Sequence, residues 1–249
     1  MEIMDVVNDE ANFEDDFQFL KEMKDILIEE VFRLSKEFPD RSACDSEVKN
    51  GIFSETDDKR DVRIILPGGL QNVLDHLELF PDDITATKIT GSRDDCEELC
   101  FVGFLGHKKD RSEMEESVIH DIDKTDAVVV QELSTIDGMI AYVTGERLKR
   151  GDYGNLVVFK DKGVVKNLKK SQNHAYAVNS ISPRYYRTVR IHSGRLPMGL
   201  RSPYFVLQKT LFLQFSLPAE DPARRRVQLW RACREDSNFF KVFSPTKEM

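Results

Sequence analysis

Long apolar runs are missing from this chain. Its apolar stretches are short, AVVV at 127–130 among them, far below the roughly 20 residues that a membrane-spanning helix needs. Cysteine is sparse: four residues, at 44, 96, 100 and 233, in 249. That is too few and too scattered for a disulfide-built scaffold, and reduced thiols are the expectation. The acidic opening MEIMDVVNDEANFEDD has neither the basic start and apolar core of a secretory signal nor the arginine-rich character of a transit peptide. A cytoplasmic protein is therefore expected, with no membrane partner. Also missing are G-x-S-x-G, the Walker lysine loop and G-x-G-x-x-G, so no common nucleophile or nucleotide signature guides the reading.

What is present is a soluble-type composition, 40% hydrophobic and 32% charged, with an uneven charge. Residues 1–61 carry a net −11, residues 62–149 a net −9, and residues 150–249 a net +12. A basic C-terminal part attracts anions or pairs with the chain's own acidic part. The acidic excess elsewhere favours the internal pairing. Nucleic acid is not the expected partner: RRR at 224–226 and YYRTVR at 185–190 mix basic and aromatic residues, but the aromatic RNA-binding strand motif is missing.

Residues 14–38 predict an amphipathic helix, with Phe17, Leu20, Leu27, Val31, Leu34 and Phe38 at helical spacing. Residues 40–61 lack a period and read as a linker. The expected division is thus an acidic helix and linker over 1–61, then an α+β domain over 62–249. Within it, 62–67 and 84–90 read as strands around a helix at 70–80. The segment 99–106 reads as a strand and 112–137 as a helix ending before Gly138, although three successive valines carry strand propensity. Strands follow at 139–148 and 155–161. A helix over 163–181 is ended by Pro183, and strands return at 185–194, 205–217 and 225–233. From 99 to 192 the order is β-α-β-β-α-β, the ferredoxin-like order.

The run GMIAYVTGERLKRGDYGNLVVFKDKGVVKNLKKSQNHAYA (138–177) resembles the dimeric α+β barrel superfamily, which includes antibiotic-biosynthesis-monooxygenase-like and stress-responsive barrel domains. The resemblance rests on Gly138 before a strand, a hairpin whose second strand is NLVVFKD, and a helix carrying Ser171-Gln172-Asn173-His174. It implies two sheets paired into a barrel, by homodimerisation or as an internal pseudo-dimer with residues 62–98 as remnants of a first half. It also implies a pocket for a small molecule between sheet and helices. Some members bind haem or act as cofactor-free oxygenases.

The stretch SQNHAYAVNSISPRYYRTVRIHSGRLP (171–197) concentrates two of the chain's five histidines with four arginines and three tyrosines. Strand alternation puts Tyr186, Thr188, Arg190 and His192 on one polar face, and Val189 and Ile191 on the other, towards the helices. The expected ligand-binding residues are Tyr142, Glu146 and Asn155 of the hairpin with Tyr186 and Arg190. A purely structural pairing of Glu146 with Arg190 across the sheet is the competing reading. Should the protein be an enzyme, His192 or His174 is the proton-transfer candidate and Arg190 the anion stabiliser. His174 is also the candidate axial ligand of a haem. Cys96 and Cys100 with His107 and His120 lack the spacing of a structural zinc site and read as buried thiols, so no metal is expected. ILPGGLQNV (65–73), a strand, two glycines and a helix, is a weak phosphate-cradle signal. The function class opposed to ligand binding is a non-catalytic assembly protein whose sheet face is a dimer interface.

Overall fold

A computed structural model of the chain describes residues 2–55, 61–78, 98–147, 152–168, 170–197, 199–202, 205–215, 225–235, 238–243 and 247–248. Helix α1 (Glu2–Glu37) covers the predicted amphipathic segment except Phe38. Phe17, Leu20, Leu27, Val31 and Leu34 form its buried stripe, and Phe38 packs partly buried just beyond its end. The stretch 40–61 is not a featureless linker. It holds a 3-10 turn (Arg41–Cys44), α2 (Asp45–Asn50) and β1 (Ile52–Glu55). Elements this short span too few turns or alternations to reveal a period. β1 pairs with β2 (Asp61–Ile65), so the expected boundary at 61/62 falls inside β2, one residue past its start. Helices α1 and α2 also share one apolar core with the sheet.

Next come α3 (Gly69–Glu78), β3 (Leu99–Lys108), α4 (Glu116–Leu133), β4 (Met139–Arg147) and β5 (Asp152–Phe159). The strand predicted at 84–90 lies outside the described residues. The valine run belongs to α4: Val130 is buried against the sheet while Val128 is exposed, which is helical rather than alternating behaviour.

The single helix predicted over 163–181 is instead α5 (Lys162–Leu168), α6 (Gln172–Tyr176), a π-helical turn (Ala177–Ile181) and α7 (Ser182–Tyr185). Ser171 caps α6 by accepting from the His174 N–H. Helical structure also continues past Pro183, because that proline sits in the first turn of α7, where a missing N–H leaves no bond unmade. The chain then forms β6 (Tyr186–Leu196), β7 (Val206–Phe215), β8 (Arg225–Glu235), β9 (Asn238–Phe243) and β10 (Lys247–Glu248).

Among the described residues the strands form one sheet in the order β1-β2-β4-β5-β3-β6-β7-β8-β10, with β9 also on β8. Every neighbouring pair is antiparallel. The protein is thus α+β, and α1 with α3 covers one face of the sheet while α4 to α7 lie on the other. Close approach of α1 depends on glycine. A Cβ on Gly103 of β3 would stand 2.5 Å from Leu20, and one on Gly154 of β5 would stand 2.4 Å from Phe19. No helix among the described residues is long and apolar enough to cross a membrane.

Candidate functional site

Between the sheet and α4–α7 lies a cavity of about 340 Å³. Strand register explains its floor. Tyr142 of β4 stands opposite Val157 of β5, then Val102 of β3, Ser193 of β6 and Lys209 of β7. The next rung runs Thr144, Asn155, Phe104, Ile191 and Leu211. Polar side chains gather at the β4–β5 end, where Tyr142, Tyr153 and Asn155 line the space beneath Asp126 of α4. The β6–β7 end is mainly hydrocarbon, with Val189, Ile191, Leu211, Leu213 and Phe215 beside Ser193 and Lys209.

The electrostatics of this cavity follow from the burial of its phenols. Burial pushes the Tyr142 and Tyr186 hydroxyls well above their ordinary pKa and Tyr153 up to about 12, outweighing the hydrogen bonds to Tyr142 and Tyr153 and the pull of Arg63 on Tyr153. Partial burial also raises Asp126, against the opposing pull of Arg63, whose guanidinium lies 3.7 Å from the carboxylate.

Tyr186 reaches the cavity through a bulge. At His107/Lys108 the register with β6 slips, so that Thr188 faces His107 but Tyr186 faces Lys108. The extra residue reverses the alternation. Tyr186 therefore joins Val189 on the cavity face, its ring edge-on to Phe104 at 5.4 Å, rather than sharing a face with Arg190 and His192 as simple alternation predicts.

Arg190 and His192 lie on the opposite face, beneath α1, and do not reach the cavity. Both bind Asp16, a fully buried aspartate of α1. Arg190 donates twice to its carboxylate, from Nε and from Nη2 at 2.8 Å, and His192 Nε2 donates at 3.0 Å. The other ring nitrogen of His192 pairs with the Thr210 hydroxyl at 2.9 Å. Asp152 stands 4.0 Å from Arg190 and binds His107 Nδ1 at 2.5 Å. Burial by itself would raise the Asp16 pKa. Hydrogen bonds from His192 and Arg190, with their charges, outweigh it and hold the group down at about 2.

No protein-family model and no curated protein matches the chain. Among solved structures it is similar to the crystal structure of protein SO0527 from Shewanella oneidensis, at 9% identity and a TM-score of 0.34, over 40% of this chain and 91% of that one. So loose an overlap carries no argument about fold or function.

The predicted site residues therefore divide. Tyr142, Asn155, Tyr186 and His174 line one cavity; Arg190 and His192 belong to the ionic cluster across the sheet. Glu146 joins neither. It pairs with Lys108 at the surface, so the expected Glu146–Arg190 pairing gives way to Arg190–Asp16. Cys100 is buried in the apolar layer near Val130, and burial raises its thiol pKa; Cys96 lies outside the described residues. The glycine pair before α3 already meets an anion of the chain itself. Gly69, at φ +78°, sits against Asp45, whose carboxylate accepts from the Leu70 N–H at 3.4 Å. The haem implied by the resemblance fits the cavity poorly. His174 is on its wall, but the acidic and basic side chains lining it are Asp126 and an exposed Lys209, so two propionates would share one lysine. Sequence reasoning missed Tyr153, Asp126 and Asp16. Tyr153 was within reach, since it stands two residues before Asn155 on β5 and shares its face.

Proposed function

We propose that this chain is a small-molecule-binding α+β protein whose ligand occupies the cavity between the sheet and α4–α7. The observation that carries the reading is the cavity itself, in the size range of ligand sites and lined mainly by aliphatic and aromatic side chains with a few convergent polar groups. The finer architecture in this reading is ferredoxin-like, which the strand order β6-β3-β5-β4 supports. Barrel formation with a second sheet, whether in a homodimer or a pseudo-dimer, has to be reconciled with α1, which packs over β3, β4 and β5. The reading assigns binding and no reaction. Arg190 and His192 are engaged with Asp16, which removes the expected proton-transfer and oxyanion groups from the ligand.

Native mass spectrometry of the protein purified from its own host, with an absorbance spectrum of the same sample, tests the reading. A bound small molecule is expected in the wild type and not in Ile191→Trp, which fills the hydrocarbon end. The reading fails if the wild type carries nothing and takes up no added apolar probe.

A second reading, a non-catalytic assembly protein, draws on one observation: Phe53, on the outermost strand β1, is 72% exposed. An open edge strand is a template for pairing with another chain. Sedimentation velocity separates the two readings, because Phe53→Lys dissolves an assembly built on β1 and leaves a cavity ligand in place.

A further inference from the structure

We infer that the ligand is an electrically neutral, largely hydrocarbon molecule with one oxygen function, held oxygen-first towards β4–β5 and hydrocarbon-first towards β6–β7. This rests on the binding reading above and specifies its chemistry.

Charge is the first argument. Among the described residues, the acidic and basic side chains at the wall are Asp126, paired with Arg63 at 3.7 Å, and Lys209, which is exposed at the rim and contributes its aliphatic stem, with the imidazole of His174 beside them. The three tyrosines are held neutral by burial. An ion in the middle of this space would lose its hydration without gaining a counter-charge.

Polarity is the second. The hydroxyl of Thr144 is spent on the Gly154 carbonyl at 3.1 Å, and that of Ser193 on the Lys209 carbonyl. Tyr142 bonds Thr144 and Asn155, Tyr153 bonds Thr144, and with the Tyr186 phenol these groups form the polar surface of the floor. A phenol both donates and accepts, and an amide does the same. Together they serve a hydroxyl or a carbonyl equally well, without demanding a charge. Tyr142, Tyr153 and Asn155 come from the adjacent strands β4 and β5 and Tyr186 from the start of β6, whereas Val189, Ile191, Leu211 and Leu213 come from β6 and β7, beside Ser193 and Lys209. The gradient across the sheet sets the orientation.

Four probes of one ring size test this at pH 7 by calorimetric titration: naphthalene, naphthol, naphthoate and naphthylmethylammonium. Naphthol is expected to bind tightest, about tenfold or more over the hydrocarbon, as one buried hydrogen bond suffices for that. The two ions should bind more weakly than naphthol. Tyr142→Phe and Tyr153→Phe, each checked for an intact melting transition, should narrow the ratio of naphthol to naphthalene affinity. Tightest binding of naphthoate overturns the inference in favour of Lys209, and tightest binding of the ammonium overturns it in favour of Asp126. Equal affinity for naphthol and naphthalene removes the polar anchor but leaves the binding reading standing. Failure of all four probes, the hydrocarbon included, sinks the binding reading itself.

Discussion

Replacing Asp16 with asparagine should strongly destabilise the protein. The carboxylate accepts two hydrogen bonds from Arg190 and one from His192 in a site with no solvent exposure. An asparagine keeps one oxygen and turns an NH2 towards these donors. Arg190, only 6% exposed, loses its paired carboxylate; Asp152, among the described residues, stands 4.0 Å away. Breaking one side of a buried pair in this way costs about 3–5 kcal/mol, or roughly 6–20 °C in melting temperature for a chain of this size.

The pH dependence supplies an independent check on the same residue. The native Asp16 pKa lies at about 2, against an ordinary 3.8. The ionised group therefore favours the folded state by about 2–3 kcal/mol. That contribution is fully present above pH 4 and is lost as the pH falls through 2, because the unfolded chain takes up its proton first. Urea unfolding at pH 7 and at steps between 4 and 2 reads both effects. Asp16→Asn should be destabilised at pH 7 and should lack this part of the acid loss. Asp16→Leu combined with Arg190→Met should recover much of the stability at pH 7, since an apolar replacement leaves no orphaned charge. An Asp16→Asn protein within about 1 kcal/mol of wild type, with the same acid profile, would refute the buried cluster.

Gly103→Val should cost about 1–3 kcal/mol, because its branched side chain would occupy the place of the buried Leu20; urea midpoints measure it, and an unchanged midpoint would mean that α1 does not press on β3. Asp45→Ala should cost about 1 kcal/mol through the lost cap of α3, and added phosphate should not restore it if that helix end serves only the chain's own carboxylate.

How far the sequence could be read depends on the range over which each feature is determined. The long α1, the β4–β5 hairpin and β3 announce themselves because periodicity over ten or so residues records which side meets the core. The valine-rich part of α4 competes between two periods, and burial of one side decides it. Residues 40–61 fail for a different reason: their elements of four to six residues are held by tertiary contacts rather than by local pattern.

The candidate site was half legible for a reason that alternation makes plain. Tyr142 and Asn155 sit on regular stretches of β4 and β5, so their direction follows from counting. Tyr186 sits beyond a bulge, and its direction follows from the pairing partner β3, which sequence counting along β6 does not contain. The polarity of Arg190 and His192 was read as a sign of a ligand. Polarity on a strand says only that a partner of opposite character must be met, and here that partner is Asp16, some 175 residues earlier in the chain. The charge imbalance along the sequence held the missing half of the clue. Asp16 of the acidic N-terminal segment meets Arg190 and His192 of the basic C-terminal part inside the fold, and the cation most suggestive of an external anion is neutralised from within.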